Sequence, residues 1–580
     1  MTRGQRLRSS EWFAGDDEVA VIHRVAMRNA GLDVPEAADR PVIGIANSAS
    51  DLNSCNLPLA ALAESVREGV LAAGGVPAVF PTMSLGEDLM KPSAMLYRNL
   101  LAIEVEETLR SYPLDGIVVL GSCDKTIPGA LMGAVSADLP TIVVVGGSRP
   151  VAQFRGRRLG TGTDLWRAWD DRRAGRLDDE AWAEFERCLA CGIGSCNTMG
   201  TASSMAVAVE ALGLTLPGTS TIPAGQAEAA AAAVAAGRRA VELVRDDVRP
   251  STLLTDAAFG NAVKVLNAVG GSTNAVLHLA AIAGRVGIDL LPTTVGALSR
   301  DVPVIADVEP SGRFLMAEFH QCGGVPAVLR QLGTRLADEQ LTVSGASVAQ
   351  IAAAAPEPTD SAQAIRPIAE PLRTDGAFAV VQGSLAPDGA LIKTSAASPE
   401  LFRHRGPALV FRSYQDLRER IDDPALPVTP DTVLVLAGCG PVGVPGMPEW
   451  GMIPIPAKLA AQGVTDMVRV TDSRMSGTSF GTVFLHVAPE SAVGGPLALV
   501  TDGDQVSVDV SAGRLDLEVS DDELTRRRAV WTPPTSAHLR GWPALYQSHV
   551  MQAPWGCDLD FLRAPTPAHR AFVPPVVGRS

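Results

Sequence analysis

Aromatic side chains are scarce in this 580-residue chain, where Phe, Trp and Tyr together make up 4%. So few rings exclude the base-stacking platforms that single-stranded nucleic acid requires. The formal net charge of −15 opposes nonspecific attraction to nucleic acid or anionic lipid, while leaving a small anionic substrate open. No run of about 18 or more apolar residues is present. The opening MTRGQRLRSSEWFAGDDEV is charged and lacks the apolar core of a secretory signal. A cytoplasmic protein with neither nucleic-acid nor membrane partners is expected. Cysteine is also sparse, eight residues mostly far apart. That excludes a secreted disulfide scaffold and leaves reduced thiols or metal ligands.

What is present is an ordinary globular composition, with 46% apolar residues, 55 Gly and 42 Pro, in a chain long enough for about two to four domains. In the first half, β-branched runs such as PVIGIANS (41–48), DGIVVLGS (115–122) and TIVVVGG (141–147) alternate with helical patterns at 58–74, 129–138, 201–213 and 224–247. Unbroken apolar strands separated by helices predict a parallel sheet covered on both faces. Near residue 355 the texture becomes rich in Pro and polar residues, as in a linker. Short strands follow, and DQVSVDVSAGRLDLEVS reads as a β-hairpin around Ser-Ala-Gly. The expected organisation is an α/β domain over 1–370 and a β-rich domain over 375–580.

Three cysteines share one local setting. Cys55, Cys123 and Cys196 each precede a predicted helix, the first two directly after a strand. A helix N-terminus favours a thiolate, and loops at the carboxyl ends of parallel strands converge on one crevice. Each thiol alone also fits a small buried hydrophobe; the three together fit a ligand set. Cys188 and Cys191 end a helix instead, where the dipole disfavours a thiolate. Their spacing with Cys196 keeps a zinc or redox site open, although no second nearby pair completes a four-thiolate zinc site.

Carboxylates accompany the thiols: Asp124 follows Cys123 directly, Glu87 and Asp88 lie in MSLGEDLMKPS, and Glu449 closes GCGPVGVPGMPEW. They read either as solvated loop charges or as the hard oxygen donors that Mg²⁺ prefers to sulfur. Ser476, in TDSRMSGTSFG (471–481), reads as turn chemistry or as a base or nucleophile, without a G-x-S-x-G elbow. GGSTNAVLHLAAIA (270–283) lacks the Lys of a phosphate-binding loop.

In matching order, NSCN, GSCDKT, GSCNTMGTASSM, GGSTNAVLHLAAIA, GCGPVGVPGMPE and RMSGTSFGTVFLHVAPESAVGGPLA resemble blocks of the dihydroxyacid and sugar-acid dehydratase (IlvD/Edd) family over nearly the whole chain. SLGEDLMKPSAMLYRNL and the closing DLDFL resemble its sugar-acid branch, the arabinonate dehydratases especially. The resemblance implies an N-terminal α/β domain and a barrel-like C-terminal domain carrying the serine loop. It implies a [2Fe–2S] cluster held by Cys55, Cys123 and Cys196, and Mg²⁺ held by Glu87, Asp124, Glu449 and Lys125, the last as a carbamylated lysine. Ser476 matches the family's alkoxide base and Thr478 a hydroxyl that assists it. The implied activity is a hydro-lyase acting on an aldonic acid such as L-arabinonate, in a homodimer or homotetramer. A branched-chain dihydroxyacid dehydratase and a catalytically silent binding or regulatory relative are the alternatives. The chain departs from many relatives at HRVAM (23–27), where Ala26 replaces a Trp, a difference bearing on substrate size, and from the branched-chain enzymes at Ser473.

Overall fold

The computed structural model describes residues 6–34, 39–356, 363–565 and 575–576. The expected parallel sheet is present, with strands β1 (Val42–Asn47), β2 (Val76–Pro81), β3 (Gly116–Gly121) and β4 (Thr141–Val145) in the order β2-β1-β3-β4, every pair parallel. β1, β3 and β4 are buried almost throughout and mainly apolar, because helices cover both faces of the sheet. β2 is the strand the alternation of runs does not announce. Its VPAVFP holds two prolines, which cannot donate to a ladder, and it accordingly lies at the edge.

The helices fall close to their predicted spans, at Leu59–Ala72, Thr126–Ala137, Thr201–Ala211 and Ala227–Asp246. In the last of these, Ala229, Ala233, Ala236, Ala240 and Val244 recur at helical spacing and are buried, so the alanine-rich run is an amphipathic helix. Two further buried helices, Asp256–Ala268 and Thr273–Arg285, complete this body. A small hairpin, β5 (Ala152–Phe154) and β6 (Arg157–Leu159), follows β4.

The expected linker lies partly outside the described residues, at 357–362. Its continuation is bound to the first body, since Arg366 and Leu372 donate backbone N–H bonds to Ile305 and Val304, both at 2.8 Å. Beyond it stand β7 (Ala379–Val381), β8 (Gly389–Ile392), β9 (Arg403–Phe411), β10 (Val433–Leu436), β11 (Arg469–Thr471), β12 (Val483–Ala488), β13 (Gln505–Asp509) and β14 (Arg514–Leu517). They form one eight-stranded sheet in the order β14-β13-β9-β10-β11-β12-β8-β7. Gln382 pairs with Arg514 across the two edges, which nearly closes a barrel around Val381, Ile392, Val410, Val435, Phe484 and Leu515. The predicted hairpin is β13–β14, with alternating burial on both strands.

The last segment returns to the first body. Arg98, without solvent exposure, donates to the carbonyls of Gly556 at 2.7 Å and Cys557 at 2.9 Å. Arg285 grips Asp558 through two hydrogen bonds of 2.6 and 3.0 Å and reaches Glu106 at 3.1 Å, all buried. Among the described residues no helix is long and apolar enough to cross a membrane.

Removing one partner of a buried ion pair costs about 3–5 kcal/mol, because the other charge is left stranded. Asp558→Ala is therefore expected to lower the urea midpoint of unfolding clearly, and Asp558→Asn to lower it less. An unchanged midpoint for Asp558→Ala would show that Arg285 is not held in this way.

Candidate active site

The carboxyl ends of the parallel strands carry the loops that build the site. After β1, Asn56 accepts the backbone N–H of Cys123 at 3.1 Å and donates to Ser84 at 2.9 Å and Thr126 at 3.1 Å. One amide thus ties together the loops of Cys55, Glu87 and Cys123. After β4, Arg149 pairs its backbone N–H with Ser195 at 2.8 Å and donates from its guanidinium to Gly194 at 3.1 Å. Gly194 in turn donates to Ser54 at 3.1 Å, which brings the Cys196 loop beside that of Cys55.

Cys55, Glu87, Cys123, Asp124, Cys196, Glu449, Ser476 and Thr478 all line one cavity of about 500 Å³. Lys125 lies fully buried behind it, with its Nζ 2.6 Å from Asp124, 3.5 Å from Glu87 and 3.7 Å from Glu449. Residues far apart in the chain, from both sheets, therefore meet at one place. Cys188 and Cys191 do not join them. They pack with Phe185 and Leu159 in a separate apolar cluster, and Cys191 donates its thiol hydrogen to the Pro150 carbonyl at 3.2 Å. Ala26 sits on the exposed face of the helix Glu18–Asn29, away from the cavity wall. Ser473 is buried, and its hydroxyl is spent on the Pro448 carbonyl at 2.5 Å.

The thiols are electrostatically unequal. Cys55 is held below the usual thiol range chiefly by the hydrogen bond from Cys123, with Arg149 assisting against burial; the Arg149 guanidinium lies 3.7 Å from its sulfur. That same bond, together with burial, raises Cys123 well above the range. Burial pushes Cys196 up to about 12. Three thiolates could ionise together here only with added positive charge.

The oxygen side is denser in charge. Arg474 is completely buried and donates to Glu449 at 2.8 Å and to Ser93 at 3.0 Å, while Ser93 donates to Glu87 at 2.9 Å. Burial opposes the charged forms of Lys125 and Arg474, but the surrounding carboxylates outweigh it and raise both. Burial likewise pushes Asp124 up, and the Lys125 ammonium overcomes it to hold that carboxyl below the usual range. Burial keeps Glu449 above its range. One carboxylate oxygen, Oε2 of Glu87, is buried without a hydrogen-bond partner. Among the described residues no three His, Cys, Asp or Glu side chains are preassembled around a single ion. Instead, the Lys125 ammonium stands among the carboxylates.

The serine loop comes from the second sheet, between β11 and β12. A Cβ at Gly477 would fall 2.6 Å from the Thr201 nitrogen and 2.7 Å from Ser272 Oγ, so only glycine lets the loop lie against the starts of two helices. Asn274 fastens it there, donating to the Met475 carbonyl at 3.0 Å and to Glu449 at 2.7 Å. Ser476 Oγ is 3.0 Å from Thr478 Oγ1. Asn274, Arg474, Arg149 and Trp166 are site residues that motif reasoning did not single out. Asn274 stood in GGSTN and Arg474 two residues before Ser476; a long cationic side chain in a loop of mostly small polar residues was the available signal.

An α/β body and a near-closed barrel that share a cavity of thiols, carboxylates and a serine loop define a single class, and sequence comparison agrees. The dihydroxy-acid/6-phosphogluconate dehydratase N-terminal model matches residues 40–351 and its C-terminal counterpart residues 363–557. The chain belongs to this family. It is 49% identical to a 6-deoxy-6-sulfo-D-gluconate dehydratase of Pseudomonas putida, over 97% of each chain. It is 46% identical to an L-arabinonate dehydratase of Rhizobium leguminosarum bv. trifolii, over 96% of each. With a dihydroxy-acid dehydratase of Chloroflexus aggregans it shares 38% identity, over 90% of this chain and 93% of the relative.

Because Cys188 and Cys191 lie in their own apolar cluster, a Cys188→Ser/Cys191→Ser variant is expected to keep the metal content of the native protein when both are purified without oxygen. Loss of metal from that variant would restore the site at Cys188, Cys191 and Cys196.

Proposed function

We propose that this chain is a hydro-lyase that removes water from an aldonic acid, L-arabinonate or a related pentonate or hexonate, to give the 2-keto-3-deoxy acid. The observation that carries the reading is the convergence of Cys55, Cys123, Cys196, Glu87, Asp124, Glu449 and Ser476 on one cavity. The higher identity to sugar-acid dehydratases than to a dihydroxy-acid dehydratase supports the substrate class.

The donor set fits both implied cofactors. Three thiols line the cavity, two of them raised by burial and by Cys55; they would gain from the positive charge of a [2Fe–2S] cluster, which three protein thiolates would hold with a position left for substrate. On the oxygen side, carbamylation of Lys125 would replace an ammonium with an anion. Asp124, Glu87 and Glu449 would then need a divalent cation, and the Glu87 oxygen that has no hydrogen bond and faces only the Lys125 nitrogen at 3.5 Å would offer it a ligand. Hard oxygen donors of this kind select Mg²⁺. When bound, Mg²⁺ supplies Lewis-acid stabilisation at the substrate carboxylate end, and the open iron supplies an acceptor for the C3 hydroxyl.

The chain's own residues do the rest. Ser476 Oγ is the base that takes the C2 proton, and Thr478 at 3.0 Å shares hydrogen bonding with it. Loss of the C2 proton and the C3 hydroxyl leaves an enol, which tautomerises to the keto acid. Arg474 keeps Glu449 and, through Ser93, Glu87 in place. Trp166, Trp169, Trp450 and Phe480 give the cavity an apolar stretch of wall beside its charged groups. A homodimer or homotetramer working in the cytoplasm completes the reading.

Protein purified without oxygen and supplied with Mg²⁺ is expected to turn over one or more members of an aldonic-acid panel. Exclusive turnover of 2,3-dihydroxyisovalerate would overturn the substrate class, and no turnover by protein loaded with iron and sulfide would favour a silent relative. Cys123→Ser is expected to lose iron and sulfide. Ser476→Ala should lower kcat by about 10²-fold or more while keeping both.

A further inference from the structure

The helix Thr163–Arg173 and the Gly162 before it pack against the serine loop and meet Thr478 at three points. Thr163 Oγ1 donates to the Thr478 carbonyl at 2.9 Å. Gly162, at φ +88°, lies so close that a Cβ there would stand 2.5 Å from Thr478 Oγ1. The indole nitrogen of Trp166 is 3.2 Å from that same hydroxyl oxygen. An indole nitrogen can only donate, so Thr478 Oγ1 accepts from Trp166. The hydroxyl hydrogen must then point elsewhere. Ser476 Oγ lies within hydrogen-bond reach at 3.0 Å, where either oxygen can be the donor. The backbone N–H of Thr478 faces the same serine oxygen, at 3.4 Å.

We propose that Trp166 is a positioning residue for proton abstraction: its N–H holds the Thr478 hydroxyl as a donor toward Ser476 Oγ. The inference rests on the reading of Ser476 as the base of a sugar-acid dehydratase. Two donors aimed at one oxygen favour its anionic form over the neutral hydroxyl, as in an oxyanion site. The indole occupies one of the two lone pairs of Thr478; without it both are open to a Ser476 hydroxyl hydrogen, which shifts the balance toward the protonated serine. Trp166 touches neither proton nor leaving group; it decides which way a threonine hydroxyl points.

The test compares wild type, Trp166→Phe, Thr478→Val and the double variant. Each is prepared as holoenzyme with iron content and thermal midpoint recorded, and each is assayed with the aldonic acid that the wild type turns over best, with protium or deuterium at C2. Trp166→Phe keeps a ring in the wall but has no donor. It is expected to lower kcat roughly tenfold with KM nearly unchanged, and to increase the primary isotope effect on kcat as proton removal becomes slower. Thr478→Val should lose at least as much, and the double variant no more than Thr478→Val alone, because Trp166 acts through Thr478. Trp166→Leu supplies the same comparison if the phenylalanine variant does not fold. A wild-type kcat and isotope effect in Trp166→Phe would overturn the inference, as would a changed KM with unchanged kcat or multiplicative losses in the double variant. If Ser476→Ala is inactive while Trp166→Phe is unaffected, this inference alone fails; an enzyme with no aldonic-acid turnover takes both readings down.

Discussion

Lys125 and Arg474 are both sealed from water, and the way their charge is balanced ties the two bodies of this chain together. Lys125, from the α/β body, faces Glu449 from the barrel side at 3.7 Å, while Arg474, from the barrel side, reaches Ser93 and Glu87 in the α/β body. A buried cation without a partner is costly enough to forbid the arrangement, so the two sheets must meet with these carboxylates in register. Three carboxylates against two cations leave the group one positive charge short, and one Glu87 oxygen without a hydrogen bond. On the proposed function, a bound cation would offset that imbalance.

The residues of the proposed chemistry fall on the same contact surface. Glu449, Ser476 and Thr478 come from the barrel side, whereas Cys55, Cys123, Cys196, Glu87, Asp124 and Lys125 come from the α/β side. Neither body alone holds the proposed set. The helix starts at Thr201 and Thr273 receive the serine loop through Gly477 and Asn274. The returning segment around Asp558 is tied to the α/β body through Arg285. Stability and site geometry therefore depend on one interface.

Much of this was legible in the sequence. The apolar runs that became β1, β3 and β4, and the Ser-Ala-Gly hairpin, announce themselves because burial on two faces, or on one, writes a distinct period into the residues. β2 was hidden by its prolines, and the binding of residues 363–373 to the α/β body was hidden because a Pro-rich stretch reads as a free linker whatever its backbone groups bond to. At the site, helix-start position set Cys55, Cys123 and Cys196 apart from the denser Cys188–Cys191 pair, and the structure places the former in the cavity and the latter outside it. Arg149, Arg474, Asn274 and Trp166 were not legible. Their roles depend on partners 94, 381, 201 and 312 positions away, and no local pattern records such a distance.

The central claim is that Cys55, Cys123 and Cys196 gather iron at this interface. Anomalous diffraction at the iron edge, on crystals grown without oxygen, tests it most directly. Iron density is expected within bonding distance of those three sulfurs and beside the Glu87–Asp124–Glu449 group. Iron density at Cys188 and Cys191, or none at the cavity in protein that carries iron and sulfide, would contradict it.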